Sequence, residues 1–184
     1  GSGGQGSNFL RGDILQMIDD EEFVAVFPNG YNNKWNVNNE SPADDVAFFE
    51  MMLTVISADT RLDMNQVYGV GTSNGAGMIN KLGKETSYLR GIAPIVSQQL
   101  TYIGAITPPR PLSVFQVNGQ DDTTIPPSGG SIWAGEFLSA EASVANWATY
   151  FNCSTGPATA TLAWGARTVQ ETIYSNCQEN RDVR

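Results

Sequence analysis

Val67-Tyr68-Gly69-Val70-Gly71-Thr72-Ser73-Asn74-Gly75-Ala76-Gly77 decides how this chain folds: an apolar, β-branched run that closes on Gly-x-Ser-x-Gly. Residues 66–72 have the composition of a strand, and residues 75–84, with Met78, Ile79 and Leu82, can form a helix. Where a strand turns abruptly into a helix, the intervening serine sits in a strained backbone conformation with its hydroxyl exposed, and Gly71 and Gly75 leave room for the turn to pack. Ser73 is therefore the candidate nucleophile. The N–H of Asn74 would lie at a helix N-terminus, where partial positive charge can stabilise an oxyanion. The alternative is a structural Gly-rich turn, because the bare pattern is weak in a chain with 19 glycines. A serine nucleophile also needs a base, and the chain contains no histidine. Either the motif is misread or part of the machinery lies outside these residues.

Working outward, 184 residues with 41% apolar and 16% charged side chains are enough for one domain with a sizeable core. The net charge of -9 and the absence of any Lys or Arg cluster argue against nucleic acid and anionic membrane surfaces as partners. An acidic surface identifies no substrate. No apolar run approaches the roughly 20 residues that cross a bilayer, and the N-terminus has no signal-peptide pattern. The opening Gly1-Ser2-Gly3-Gly4-Gln5-Gly6 is a cloning remnant, a linker or a functional loop cut in half. Cys153 and Cys177 lie in polar surroundings with no His or further Cys at metal spacing, so a disulfide in an oxidising compartment is the better reading than a zinc site or two unrelated thiols.

The order of elements is that of alternating strands and helices. A short amphipathic helix is expected over residues 8–19, with Phe9, Ile14, Leu15 and Ile18, then a strand over 22–27 ending at Pro28. An Asn-rich loop, 29–41, holds Tyr31 and Trp35. Val46, Phe49, Met52, Leu53 and Ile56 make a helical stripe in 43–57, with Asp44 and Asp45 in its first turn. Buried strands are expected at 91–96 and 112–117, and a helix at 139–151 with Ser139 as N-cap and Val144, Trp147, Ala148 and Phe151 on one face. Residues 158–164 and 168–174 are further strand candidates. Short apolar strands separated by helices predict an α/β fold with a parallel sheet covered on both faces.

Function in such sheets gathers at the carboxyl ends of strands. Besides the elbow, Val96-Ser97-Gln98-Gln99 and Val117-Asn118-Gly119-Gln120-Asp121-Asp122-Thr123-Thr124-Ile125-Pro126 occupy such positions. The paired acids of the second segment follow a strong strand and come after the serine, where a triad acid belongs. Asn-Gly and Asp-Asp are equally common in plain surface turns.

Together the Gly71-Thr72-Ser73-Asn74-Gly75-Ala76 elbow, the Asp44-Asp45-Val46-Ala47-Phe48 helix start, the approach from Asp63 to Tyr68 and the Asn-Gly-x-x-Asp-x-x-Ile-Pro segment resemble the polyhydroxybutyrate depolymerase and feruloyl esterase group of α/β-hydrolases. The resemblance covers nearly the whole chain. It implies a secreted serine esterase with an α/β-hydrolase fold: a mostly parallel sheet flanked by helices on both faces, incomplete here at both ends. The family's acid segment, His-Gly-Thr-x-Asp-x-x-Val-Pro, selects Asp122 rather than Asp121 and puts Asn118 where the family has a non-catalytic His. Gly1-Ser2-Gly3-Gly4 resembles the family's His-Gly-x-Gly-Gly loop without its leading His, which implies the N–H of Ser2 as second oxyanion donor. The family also carries a disulfide where Cys153 and Cys177 stand, and places its base in a Gly-Gly-His-x-Trp-Pro segment one strand further on. The resemblance thus accounts for the missing base by truncation, and implies a nearly inactive fragment with apolar edges exposed.

No metal or organic cofactor is implied. The expected partner is an ester substrate, polymeric or polysaccharide-linked. Tyr31, Trp35 and Trp133 could stack on a sugar ring or a hydroxycinnamoyl group, or could be local packing anchors. Two other readings stand beside the esterase: a prolyl-oligopeptidase-like serine peptidase, and a non-catalytic carbohydrate-binding or structural module on a hydrolase fold.

Overall fold

The computed structural model describes all 184 residues. Its centre is a parallel sheet of β1 (Val67–Thr72), β2 (Leu89–Ile95) and β3 (Ser113–Val114), in that spatial order. In register, Gly69, Gly71 and Thr72 pair with Ile92, Pro94 and Ile95, and Ile92 pairs with Val114. Parallel bonding runs past the short β3, because Phe115 and Val117 donate to Ile92 and Pro94. The last residues join the same sheet: the Val114 and Gln116 amides donate to the carbonyls of Asp182 and Arg184, and Val183 bridges Val114 in parallel.

The helix α3 (Asn74–Glu85) packs on β1 and β2 and is buried from Gly75 to Lys84. Its Met78, Ile79 and Leu82 meet Leu89, Ile92, Leu112 and Val114 of the sheet in one core. The helix α5 (Ala140–Tyr150) adds Val144, Trp147 and Ala148, followed by Phe151, to that core. Its apolar residues recur at helical spacing, and Ser139 Oγ accepts from the Ala142 amide as the expected N-cap. The helix α2 (Asp45–Ile56) has Asp44 as N-cap to the Ala47 amide, and its expected stripe is half-buried while Met51 and Val55 face outward.

The structure corrects the sequence reading in three places. Cover on both sheet faces is not found: Tyr68, Val70 and Phe115 are exposed on the face away from α3. Residues 22–27 form no strand, because no neighbouring strand lies along them; Phe23, Val24 and Val26 are exposed, and of their amides only that of Phe23 is bonded, to Ile18. The expected first helix begins later, as α1 (Gly12–Asp20) after a short turn of helix at Gly6–Phe9, and buries none of its residues. A four-residue helix, α4 (Thr101–Gly104), and a small hairpin of β4 (Gly130–Ile132) and β5 (Gly135–Phe137) were not expected. The candidate strands at the C-terminal end pair as a long antiparallel hairpin of β6 (Thr155–Trp164) and β7 (Arg167–Ser175), separate from the parallel sheet. Cys153 and Cys177 form a disulfide that ties the end of α5 to the base of this hairpin.

Candidate active site

Ser73 lies between β1 and α3 at φ 55 and ψ -122, a conformation that side chains rarely adopt. Its amide donates to the Ile95 carbonyl at 2.9 Å, and its own carbonyl accepts from Gly77 at 3.1 Å to close the first turn of α3. Gly71 is a steric requirement, since a Cβ there would lie 2.2 Å from the Gly75 carbonyl oxygen, whereas a Cβ on Gly75 would only touch the Trp35 ring at 3.9 Å. The serine is half-buried, with its side chain at the carboxyl edge of the sheet. As the first residue of α3, Asn74 has an N–H without an intrahelical acceptor, adjacent to the serine.

The Asn74 side chain has a separate task. Its Oδ1 accepts from the Trp35 amide at 2.7 Å and its Nδ2 donates to the Trp35 carbonyl at 3.1 Å, clamping the Asn-rich loop over the elbow. The Trp35 ring is half-buried against Phe48 and Phe49, with centroids 6.4 and 5.1 Å away. It is a packing anchor between α2 and the elbow. Tyr31 and Trp133 are 54% and 79% exposed, and neither is brought to Ser73 by a contact seen here.

The N-terminal glycines do reach Ser73. A Cβ built on Gly1 would stand 3.3 Å from Ser73 Cβ and 3.7 Å from its Oγ. Gly4 donates back to the Gly1 carbonyl and Gly3 to the Asn33 carbonyl, so Ser2 sits in a turn fastened beside the elbow.

Asp122 follows β3 in the adjacent loop. Its Oδ1 accepts from the Thr124 and Ile125 amides at 2.8 and 3.0 Å, an arrangement that fixes its carboxylate, whereas Asp121 is exposed. The loop starts beside the end of β2, where the Val96 amide donates to the Val117 carbonyl at 2.7 Å. The turn carrying Ser73 and the loop carrying Asp122 thus stand two strand spacings apart, about 10 Å. No group of three or more His, Cys, Asp or Glu side chains converges anywhere in the chain.

The sequence singled out Val96-Ser97-Gln98-Gln99 by its place at a strand end, but three structural features of this region were not legible in it. Val96, a β-branched residue, is held at φ 53 where β2 ends. The Asn74 clamp on Trp35 and the buried Gln98 beside the acid loop have no sequence signature, because a carboxamide's partners are set by tertiary placement.

No family model matches the chain. It is 28% identical over 125 residues to "Feruloyl esterase D" of Neurospora crassa, covering 64% of this chain and 41% of that protein. It is 26% identical over 137 residues to "Putative esterase NocK" of Nocardia uniformis subsp. tsuyamanensis, covering 70% of this chain and 40% of that one. The matched part of the chain spans about two-fifths of the length of either relative. The chain is therefore similar to part of proteins named as esterases, and its small parallel sheet with packed helices is compatible with an α/β fold.

Proposed function

We propose that this chain is the nucleophile-bearing part of a secreted carboxylic ester hydrolase of the polyhydroxybutyrate depolymerase and feruloyl esterase group. The observation that carries the proposal is Ser73 at φ 55 and ψ -122 on a strand-to-helix turn where Gly71 admits no Cβ. Ser73 attacks the ester carbonyl, and a histidine takes its proton and delivers it to the leaving alcohol. Asp122 orients that histidine, and the N–H groups of Asn74 and Ser2 hold the oxyanion. Water then releases the acyl group by the reverse path.

The histidine must come from outside these residues, since the chain has none. Two features support a larger domain. Residues 182–184 run parallel to β3, so a strand continuing from them would emerge beside the Asp122 loop. The backbone of residues 24–27 and the outer edge of β1 are unpaired, as expected if further strands belong between or beside them. The disulfide supports an oxidising compartment.

Hydrolysis of methyl ferulate, of hydroxybutyrate polymer and of a simple nitrophenyl ester tests the proposal on a longer polypeptide that carries these residues. Ser73→Ala is expected to abolish turnover, and the 184-residue chain alone to fall short by on the order of a millionfold. Ester turnover that survives Ser73→Ala refutes the nucleophile. Ordinary esterase rates from the 184-residue chain, lost in Ser73→Ala, refute the external histidine.

A further inference from the structure

Gln98 lies three residues beyond the Ile95 carbonyl that receives the Ser73 amide, and it is 0% exposed. Burying a carboxamide is unfavourable unless its groups find partners. Both partners of Gln98 belong to the loop that carries Asp122. Its Oε1 accepts from Asn118 Nδ2 at 2.9 Å, at the start of the loop. Its Nε2 donates to the Pro126 carbonyl at 2.8 Å, at the end of the loop.

The bonds continue with consistent polarity away from the loop. Asn118 Oδ1 accepts from Gln116 Nε2 at 2.8 Å, and that amide group also donates to the Ala140 carbonyl at 3.0 Å. Gln116 Oε1 accepts from Ser143 Oγ at 2.7 Å, and Ser143 Oγ accepts from the Gln99 amide at 3.1 Å. The chain of bonds leaves the segment after β2 at Gln98, crosses the acid loop, passes through α5 and returns to the same segment at Gln99. No other element supplies side-chain bonds to both ends of residues 118–126.

We propose that Gln98 is a positioning residue that staples the two ends of the acid loop and so fixes Asp122 relative to Ser73. The inference rests on the esterase reading, in which Asp122 orients the histidine. Gln98 touches no substrate and acts through the loop. A misplacement of the acid by about 1 Å is enough to cost on the order of 100-fold in turnover.

The test combines exchange and kinetics. In the 184-residue chain, Gln98→Leu is expected to speed amide exchange at Thr124 and Ile125 by tenfold or more while leaving Ile79 and Ile92 in the core unchanged. In the ester-hydrolysing polypeptide, the same variant is expected to lose about 10- to 100-fold in kcat with KM within about twofold. Gln98→Glu restores both bonds only when its carboxyl is protonated, so its kcat relative to wild type is expected to fall as pH rises, a limb that Gln98→Leu lacks. Asn118→Ala removes the loop-start bond and serves if Gln98→Leu does not fold.

Unchanged exchange at Thr124 and Ile125 overturns the staple. So does a normal kcat in a folded Gln98→Leu enzyme that Ser73→Ala inactivates. If Ser73→Ala stays active, the esterase reading fails, and the exchange experiment still decides whether Gln98 holds the loop.

Discussion

Replacing Lys84 by Met is expected to make the fold less sensitive to pH between 7 and 10. Lys84 lies on the elbow helix and is 1% exposed, with its amine donating to Asn146 Oδ1 at 2.8 Å and standing 4.3 and 3.8 Å from the ring centres of Trp147 and Tyr150. Burial pushes its pKa from 10.5 down to about 7. The folded chain therefore binds fewer protons here than the unfolded chain, and stability rises with pH through the window between those two values. The full displacement corresponds to about 5 kcal/mol; the ring faces and Asn146, which stabilise the charged amine, reduce the expected effect to about 2 kcal/mol. Urea unfolding followed by tryptophan fluorescence at pH 6, 7, 8 and 9 reads it, because every other titrating group is common to both proteins. Wild type minus Lys84→Met should become more positive from pH 7 to 9 and stay flat from 6 to 7. A constant difference, or one that falls with pH, would show that Lys84 is charged in the fold at no cost.

Ser73→Gly should stabilise the fold by about 1 kcal/mol, since glycine accepts the strained backbone, whereas Ser73→Ala keeps the strain; thermal melts of the two variants separate them. Gly71→Ala should destabilise by about 3 kcal/mol, because its Cβ meets the Gly75 backbone rather than a movable side chain, and denaturant midpoints will show it. Opening the disulfide by Cys153→Ser with Cys177→Ser frees a loop with a sequence separation of 24 and should cost about 3 kcal/mol in the same assay. Asn74→Ala should release Trp35, seen as a shift in its fluorescence and faster exchange of its amide, while the Ser73 turn persists.

What was legible in the sequence was what local chemistry determines. The elbow showed because two glycines, a serine and a β-branched strand act within eleven residues. α5 showed because Ser139 and the spacing of Val144, Trp147, Ala148 and Phe151 are themselves the cap and the buried face. Residues 22–27 misled for the opposite reason: a short apolar run rich in Val and Phe predicts a strand, but a strand exists only where a neighbour completes its hydrogen bonds. β4 and β5, at three residues each, are too short to carry a period. Gln98 and the clamp on Trp35 were invisible because a buried carboxamide looks the same in sequence as an exposed one.

The geometry of the site depends most on the strand that carries none of its proposed catalytic groups. β2 gives the Ile95 carbonyl to the Ser73 amide, and the next amide, of Val96, goes to the Val117 carbonyl at the root of the acid loop. The carbonyl and N–H of this one peptide unit point to opposite sides and so bond to opposite neighbours, and the chain then has to turn while keeping both bonds. Val96 turns it at φ 53, a conformation unfavourable for a β-branched residue, which persists because the bonds on either side over-determine it. Two residues later, just beyond β2, Gln98 bonds to both ends of the acid loop. Any displacement of residues 95–98 therefore moves Ser73 and Asp122 together, and the distance between them changes only if the staple or the turn gives way.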